Sequence, residues 1–198
     1  MRKELWLIRH GEPDYPGGIP VCMGQTLDYP LSAAGRKQAE ELASAFPVRL
    51  DAVYSSPRRR ALETALPLAR VMNCPLLPEN SLRELSSGVW EGMTFQQMHT
   101  EYAYCFEKGN HLPPPGGESD EEGLERLLPF LKTLEEAEGN TFAAVGHSGL
   151  FRALAARLAG IPLSCKRSIP FPLCGMIPLR YDGSTWSVAP GFLSEIPL

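Results

Sequence analysis

The sequence predicts an α/β protein: a three-layer sandwich with a mostly parallel central sheet, helices on both faces, and a small helical insertion capping the active-site edge. Two observations predict it. Short apolar runs alternate with longer amphipathic ones along most of the chain, the order that gives parallel pairing and right-handed crossovers. A length of 198 residues, with 43% hydrophobic and 21% charged, suits one globular domain with a full core. The reading is therefore a single domain over 1–198, with the helical cap at about 93–118.

Residues 4–9 open with Leu5, Trp6, Leu7 and Ile8 and end at a glycine, which suits a buried strand. After a glycine- and proline-rich stretch, Ser32 is placed to cap a helix whose stripe is Ala39, Leu42, Ala43 and Phe46. Residues 52–55 form a second strand, and Ser56-Pro57 opens a second helix, with Pro57 in the first turn where its missing N–H does no harm. Residues 76–77 are a weak third strand between prolines. Thr94 with Gln97, and Ser119 with Glu122, are capping boxes that start two further helices. The stripe over 124–134 reads as core, and Gly139 sits where that helix should stop. Residues 141–145 form a fourth strand that Gly146-His147-Ser148-Gly149 turns into a helix ending near Gly160. Met176 to Tyr181, Asp182-Gly183 and Trp186 to Ala189 read as a hairpin.

Composition removes several classes. Nineteen basic against twenty-three acidic residues give a net charge of −4, which disfavours a nucleic-acid partner. No apolar run approaches the roughly 18 residues of a membrane helix, so no membrane partner is expected. The amino end starts like a signal peptide, but its apolar stretch stops at Arg9, so a cytoplasmic location is expected. The five cysteines are widely spaced, with no Cys-x-x-Cys and no His-x-x-x-His, so free thiols and no metal site are expected. Nothing in the sequence fixes an oligomeric state.

In an open parallel sheet, ligands bind beyond the carboxyl ends of the strands. Arg9 and His10 follow the first strand, Arg58 the second, Glu84 the third and His147 the fourth, so all fall on one edge. Guanidinium forks match phosphate oxygens and stay charged. A neutral imidazole can attack phosphorus and carry the phosphoryl group, and a carboxylic acid can protonate a departing alkoxide. His147 and Arg58 lie near expected helix N-termini, which favour anions. Phosphoryl transfer needs mainly positioning and charge neutralisation.

Arg9-His10-Gly11-Glu12 together with Val145-Gly146-His147-Ser148-Gly149 resembles the histidine phosphatase superfamily, the phosphoglycerate-mutase-like fold. Supporting pieces are Pro30-Leu31-Ser32 with Gly35, Ser55-Ser56-Pro57 with Arg59-Arg60-Ala61, Arg83-Glu84 with Gly88 and Trp90-Glu91-Gly92, and Pro114-Pro115-Gly116-Gly117-Glu118-Ser119. They occur in family order over nearly the whole chain. The resemblance implies that His10 is the phosphorylated nucleophile. It implies that Arg9, Arg58 and His147 bind the phosphate and the transition-state charge. Glu84 would protonate the leaving group and then help activate water. No cofactor or metal is implied, and the partner is a small phosphorylated molecule. Arg58, Arg59 and Arg60 are consecutive, and the pattern of Ser-Pro followed by the pocket arginine favours Arg58. On a helix the three point about 100° apart, so at most one or two face the site.

The chain departs from the pattern at Pro16 and in the loop 20–27, which lacks the arginine that often precedes the Pro-Leu-Ser piece. Many relatives carry an asparagine six residues after the nucleophile, where this sequence has Pro16, which offers no donor. Gln25 and Thr26 are candidate replacements, and Glu118 is a candidate substrate contact. Plainer readings stand beside these. Glu12, Glu79 and Glu91 are alternatives to Glu84, and His99 and His111 suit solvated or capping roles. Trp90, Tyr102 and Tyr104 suit core packing as well as ring stacking.

Rival functions remain. A serine hydrolase fails because Leu150 replaces the glycine required two residues after Ser148 and no histidine follows His147. A mutase is disfavoured because Leu85-Ser86 follows Glu84 where cofactor-dependent mutases carry an arginine and a histidine. A non-catalytic phosphate-binding module has Pro16 as its one hint. The Gly-x-Trp-Glu-Gly and Pro-Pro-Gly-Gly-Glu-Ser pieces are similar to those of alpha-ribazole phosphatases and of broad-specificity members. The reading that emerges is a metal-independent phosphatase of a small phosphate monoester, with alpha-ribazole phosphatase as a candidate activity.

Overall fold

The structure is a computed structural model and describes residues 1–106 and 112–192. His111 therefore lies outside the described residues. Six strands form one sheet: β1 (Lys3–Arg9), β2 (Ala52–Ser55), β3 (Leu76–Pro78), β4 (Thr141–Gly146), β5 (Met176–Tyr181) and β6 (Trp186–Val188). The spatial order is β3-β2-β4-β1-β5-β6. The first four in that order run parallel, and β5 and β6 add the antiparallel hairpin expected from the sequence.

The period of two along each strand builds the two outer layers. Leu5, Leu7, Phe142 and Ala144 point to one face, where α4 (Asp120–Glu136) and α5 (Ser148–Ala159) cover them. Ile8, Val53, Ala143 and Val145 point to the other, under α1 (Ala33–Ala45) and α2 (Arg59–Met72). Alanines at 61, 65 and 69 on α2 and at 153, 155 and 156 on α5 are buried, so these helices approach closely. Among the described residues, no helix is long and apolar enough to cross a membrane, and all five cysteines are free.

The expected caps form. Ser32 Oγ accepts the Gly35 N–H at 3.0 Å. Thr94 and Ser119 each make a two-way capping box, the first of them on α3 (Phe95–Glu101). Gly160 ends α5 in the left-handed region, with φ of 69°.

Three details differ from expectation. Arg58 is still extended, with φ −72° and ψ 137°, so α2 starts two residues after Pro57. Leu128 faces solvent, outside the buried stripe of α4. Gly139 does not stop α4, which ends at Glu136 with Ala137 as its cap. It is needed for close approach instead: a Cβ there would lie 2.6 Å from Cβ of Asp51.

Strand register sets the functional edge. Arg9 pairs with Gly146, and Ser55 and Ile8 both pair with Val145. The residues after these strand ends, Ser56, His147 and His10, therefore emerge side by side.

Candidate active site

A cavity of about 730 Å³ opens at this edge. Its floor holds Arg9, His10, Arg60, Glu84 and His147. Trp90, Phe95, Met98, Phe106 and Leu112 contribute an apolar wall, with the Trp90 and Phe106 rings stacked at 5.0 Å.

His10 directly follows β1 and is 6% exposed. Its backbone N–H donates to the Gly146 carbonyl at 3.0 Å, which extends the β1–β4 ladder by one residue. Nδ1 lies 2.7 Å from the Gly11 carbonyl, so it must carry the proton and donate. Nε2 is then the unprotonated nitrogen, with its lone pair free for chemistry. Burial, followed by the charge on Arg60, lowers the His10 pKa to about 3, so the ring is neutral at physiological pH.

His147 is the N-cap residue of α5 and is fully buried. Its ring meets that of His10 edge to face at 5.3 Å. Nε2 lies 2.9 Å from Ser56 Oγ. That oxygen also receives the Arg58 N–H at 3.4 Å. Ser56 can donate its hydroxyl proton to Nε2, and in that tautomer Nδ1–H of His147 is a donor. Nδ1 has no partner among the described residues. Burial and the neighbouring Arg60 push the His147 pKa well below the ordinary histidine value.

The arginine assignment is corrected. Arg60, not Arg58, lines the cavity. Arg60 is 1% exposed and donates to the carbonyls of Leu27 at 3.0 Å and Gly24 at 3.1 Å. The late start of α2 is the physical reason: with Arg58 extended, the second residue of the helix turns inward. Arg59 turns outward to Glu63, and its N–H is held by Asp28. Arg58 stays outside the cavity wall, although its charge contributes to the lowered His147 pKa. Arg9 donates to the Phe171 carbonyl at 2.9 Å. The Nε groups of Arg9, Arg58 and Arg60 are all buried without partners among the described residues, and of these Arg9 and Arg60 line the cavity, where donors remain for an anion.

Glu84 lies in the loop after β3, docked on the start of α5. Its carboxylate accepts the N–H groups of Leu85 at 2.9 Å, Gly149 at 3.0 Å and Leu150 at 2.9 Å. Gly149 permits this, because a Cβ there would lie 2.7 Å from Glu84 Oε1. Glu79 accepts the Ser81 N–H, Glu12 accepts the Ser32 hydroxyl, and Glu91 binds the loop at residues 25 and 26. Of the four carboxylates weighed, Glu84 is the one that lines the cavity.

Gln25 and Thr26 do not line the cavity, which corrects the expectation that they replace the missing donor. The Thr26 N–H and hydroxyl both bind Glu91. Gln25 Nε2 donates to the Glu84 carbonyl at 2.7 Å and to Glu118 at 2.8 Å. Glu118 does line the cavity, but its oxygens accept from Arg126, Gln25 and the Ser86 N–H. It braces the wall rather than offering a free acceptor. Arg126 of α4 also donates to the carbonyls of Ser81, Arg83 and Glu84, and so fixes the loop that carries Glu84.

Pro16 points to solvent, while Tyr15 lines the cavity near Arg9 and Arg60. Burial raises the Tyr15 pKa, which keeps the phenol a neutral donor. Sequence reasoning missed this residue, although the exposed Asp14 and Pro16 on either side give the alternation of an extended segment. His99 is exposed, as expected, with its ring stacked on Phe106 at 3.9 Å. Among the described residues, no group of three or more His, Cys, Asp or Glu side chains is placed to hold a metal ion.

Two neutral imidazoles, two guanidinium groups and a carboxylate thus share one cavity floor. The profile of the histidine phosphatase superfamily (branch 1) matches residues 5–190. The chain belongs to the histidine phosphatase superfamily. It is 32% identical over 186 residues, 91% of each chain, to a protein named putative phosphoserine phosphatase 2 of Hydrogenobacter thermophilus. It is 28% identical to a probable phosphoglycerate mutase of Salmonella choleraesuis, over 97% of this chain and 91% of the relative. The crystal structure of a putative alpha-ribazole-5'-P phosphatase from Escherichia coli superposes with a TM-score of 0.80 at 26% identity, covering 94% of both chains. This histidine phosphatase is accordingly an enzyme of the phosphoric monoester hydrolase class. The relatives' names point to different substrates.

Proposed function

We propose that this histidine phosphatase hydrolyses a small-molecule phosphate monoester through a phosphohistidine on His10. The observation that carries the reading is the division of labour on one ring: Nδ1–H is tied to the Gly11 carbonyl, and Nε2 keeps its lone pair beside two guanidinium groups. In the first step the Nε2 lone pair attacks phosphorus and the ester P–O bond breaks. The leaving oxygen takes a proton from the Glu84 carboxyl. Arg9, Arg60 and the Nδ1–H of His147 neutralise the charge on the phosphoryl oxygens. In the second step Glu84, now a carboxylate, takes a proton from water as its oxygen attacks phosphorus. The P–N bond breaks, and inorganic phosphate and the neutral imidazole are restored. As proposed, these steps need no metal ion.

Glu84 rests among three N–H donors, a setting suited to an acceptor. To act as the acid it must first gain a proton, and a substrate arriving as the phosphate monoanion supplies one. Tyr15, a neutral phenol on the cavity lining, is the donor assigned here in compensation for Pro16.

A phosphate-release assay on a panel of sugar, nucleotide and alpha-ribazole phosphates tests the reading. Free phosphate from at least one member, abolished in His10→Ala, supports it. Positional isomers of phosphoglycerate without free phosphate would indicate a mutase instead.

A further inference from the structure

We propose that the same cavity carries a second anion subsite, formed by Arg152 and Arg167, that selects esters whose leaving group bears another negative charge. This rests on the phosphatase reading above and concerns its substrate class. Arg152 stands on α5, one turn beyond the histidine that caps it. Its Nε–H donates to the Ile169 carbonyl at 2.9 Å and its Nη1 to Ser148 Oγ at 2.8 Å, which hold it against the cavity wall. Arg167 belongs to the 3-10 turn Leu163–Ser168 and lines the same cavity. It is exposed, and no acceptor or carboxylate among the described residues pairs with it.

The charges facing the cavity do not balance. Lys166 is matched by Asp120, and Glu118 by Arg126. Arg9, Arg60, Arg152 and Arg167 remain, with Glu84 as the acid facing them. Both histidines are neutral. The excess is therefore three positive charges, and a phosphate ester arriving as the monoanion cancels one. Arg152 also feels the repulsion directly: after burial, the charges of Arg9 and Arg167 are what lower its pKa. A carboxylate or a second phosphate on the leaving group would relieve that repulsion and fit a guanidinium fork.

The test compares kcat/KM within matched ester pairs. 3-Phosphoglycerate and glycerol 3-phosphate differ in a carboxylate, and fructose 1,6-bisphosphate and fructose 6-phosphate differ in a second phosphate. Wild-type protein should favour the more anionic member of at least one pair by about tenfold, the worth of one charge-assisted hydrogen bond. Which pair shows the preference identifies the second anion. In Arg167→Ala the ratio should fall towards one, mainly through KM, and Arg167→Lys should restore part of it. Equal kcat/KM within both pairs, or a preference untouched in a natively folded Arg167→Ala, overturns the subsite. Turnover of para-nitrophenyl phosphate by wild-type protein separates the two failures. If it occurs without any preference, the subsite alone falls; if no ester is turned over at all, the phosphatase reading falls and takes the subsite with it.

Discussion

At His10 and His147 the decisive facts are which nitrogen holds a proton and how little water reaches either ring. Burial keeps both imidazoles neutral, so the nucleophile does not wait for a proton to leave. The His10 imidazole NMR shifts should stay flat from pH 8 to about pH 4.5, and those of His147 should show no inflection near the ordinary histidine value of about 6.5. Inflections near 6.5 would contradict the buried, neutral assignment. The arginines make a second prediction. Arg60→Ala should lower kcat/KM by roughly 10²–10³, the scale of losing one oxyanion donor. Arg58→Ala, outside the cavity wall, should cost less than about tenfold. Comparable losses would return Arg58 to the site. This error of two positions was physical in origin. Three consecutive arginines have the same chemistry, and the phase of a helix cannot be counted until its first residue is known.

The elements deliver these side chains through register. Ser56, His147 and His10 come together because β2, β4 and β1 are neighbours in a parallel ladder, and each extends one step past its last pair. That much was legible from apolar runs ending in reactive residues. The loops were less legible, because their hydrogen bonds join segments far apart in sequence. Gln25 reads as a donor facing substrate until Glu118 and the Glu84 carbonyl are seen to claim it. Arg126 lies between the apolar positions of α4 and was not singled out from the sequence, yet it braces the segment 81–84. The junction of β4 and α5 carries its own test. Gly149 lets Glu84 dock on the first N–H groups of α5, and an added Cβ would strike its carboxylate. Gly149→Ala should therefore slow turnover of alkyl phosphates, which need the acid, more than turnover of nitrophenyl phosphate. Equal slowing would count against Glu84 as the proton donor.

Across the whole molecule, burying neutral histidines makes stability depend on pH. Below about 6.5 the unfolded chain binds protons at these positions that the native state refuses. Stability should thus be full above that value and fall as the pH drops below it, by up to about 1.4 kcal/mol per pH unit for each histidine, for His10 down to its pKa of about 3. Urea midpoints from pH 7 to pH 4 measure this, and His147→Asn should flatten the slope. A slope unchanged by that substitution would mean that other groups carry the acid sensitivity. The three-layer order, the hairpin and the caps were readable because local patterning dictates them. The charge excess around the cavity was not, because Arg152 and Arg167 enter it from separate elements.

The account stands or falls on phosphorylation at one nitrogen. Turnover of a radiolabelled phosphate ester, quenched in base to preserve phosphohistidine and followed by peptide mapping, should place the label on His10 and nowhere else. Free phosphate accumulating at the normal rate with no label on His10 at any time would contradict it.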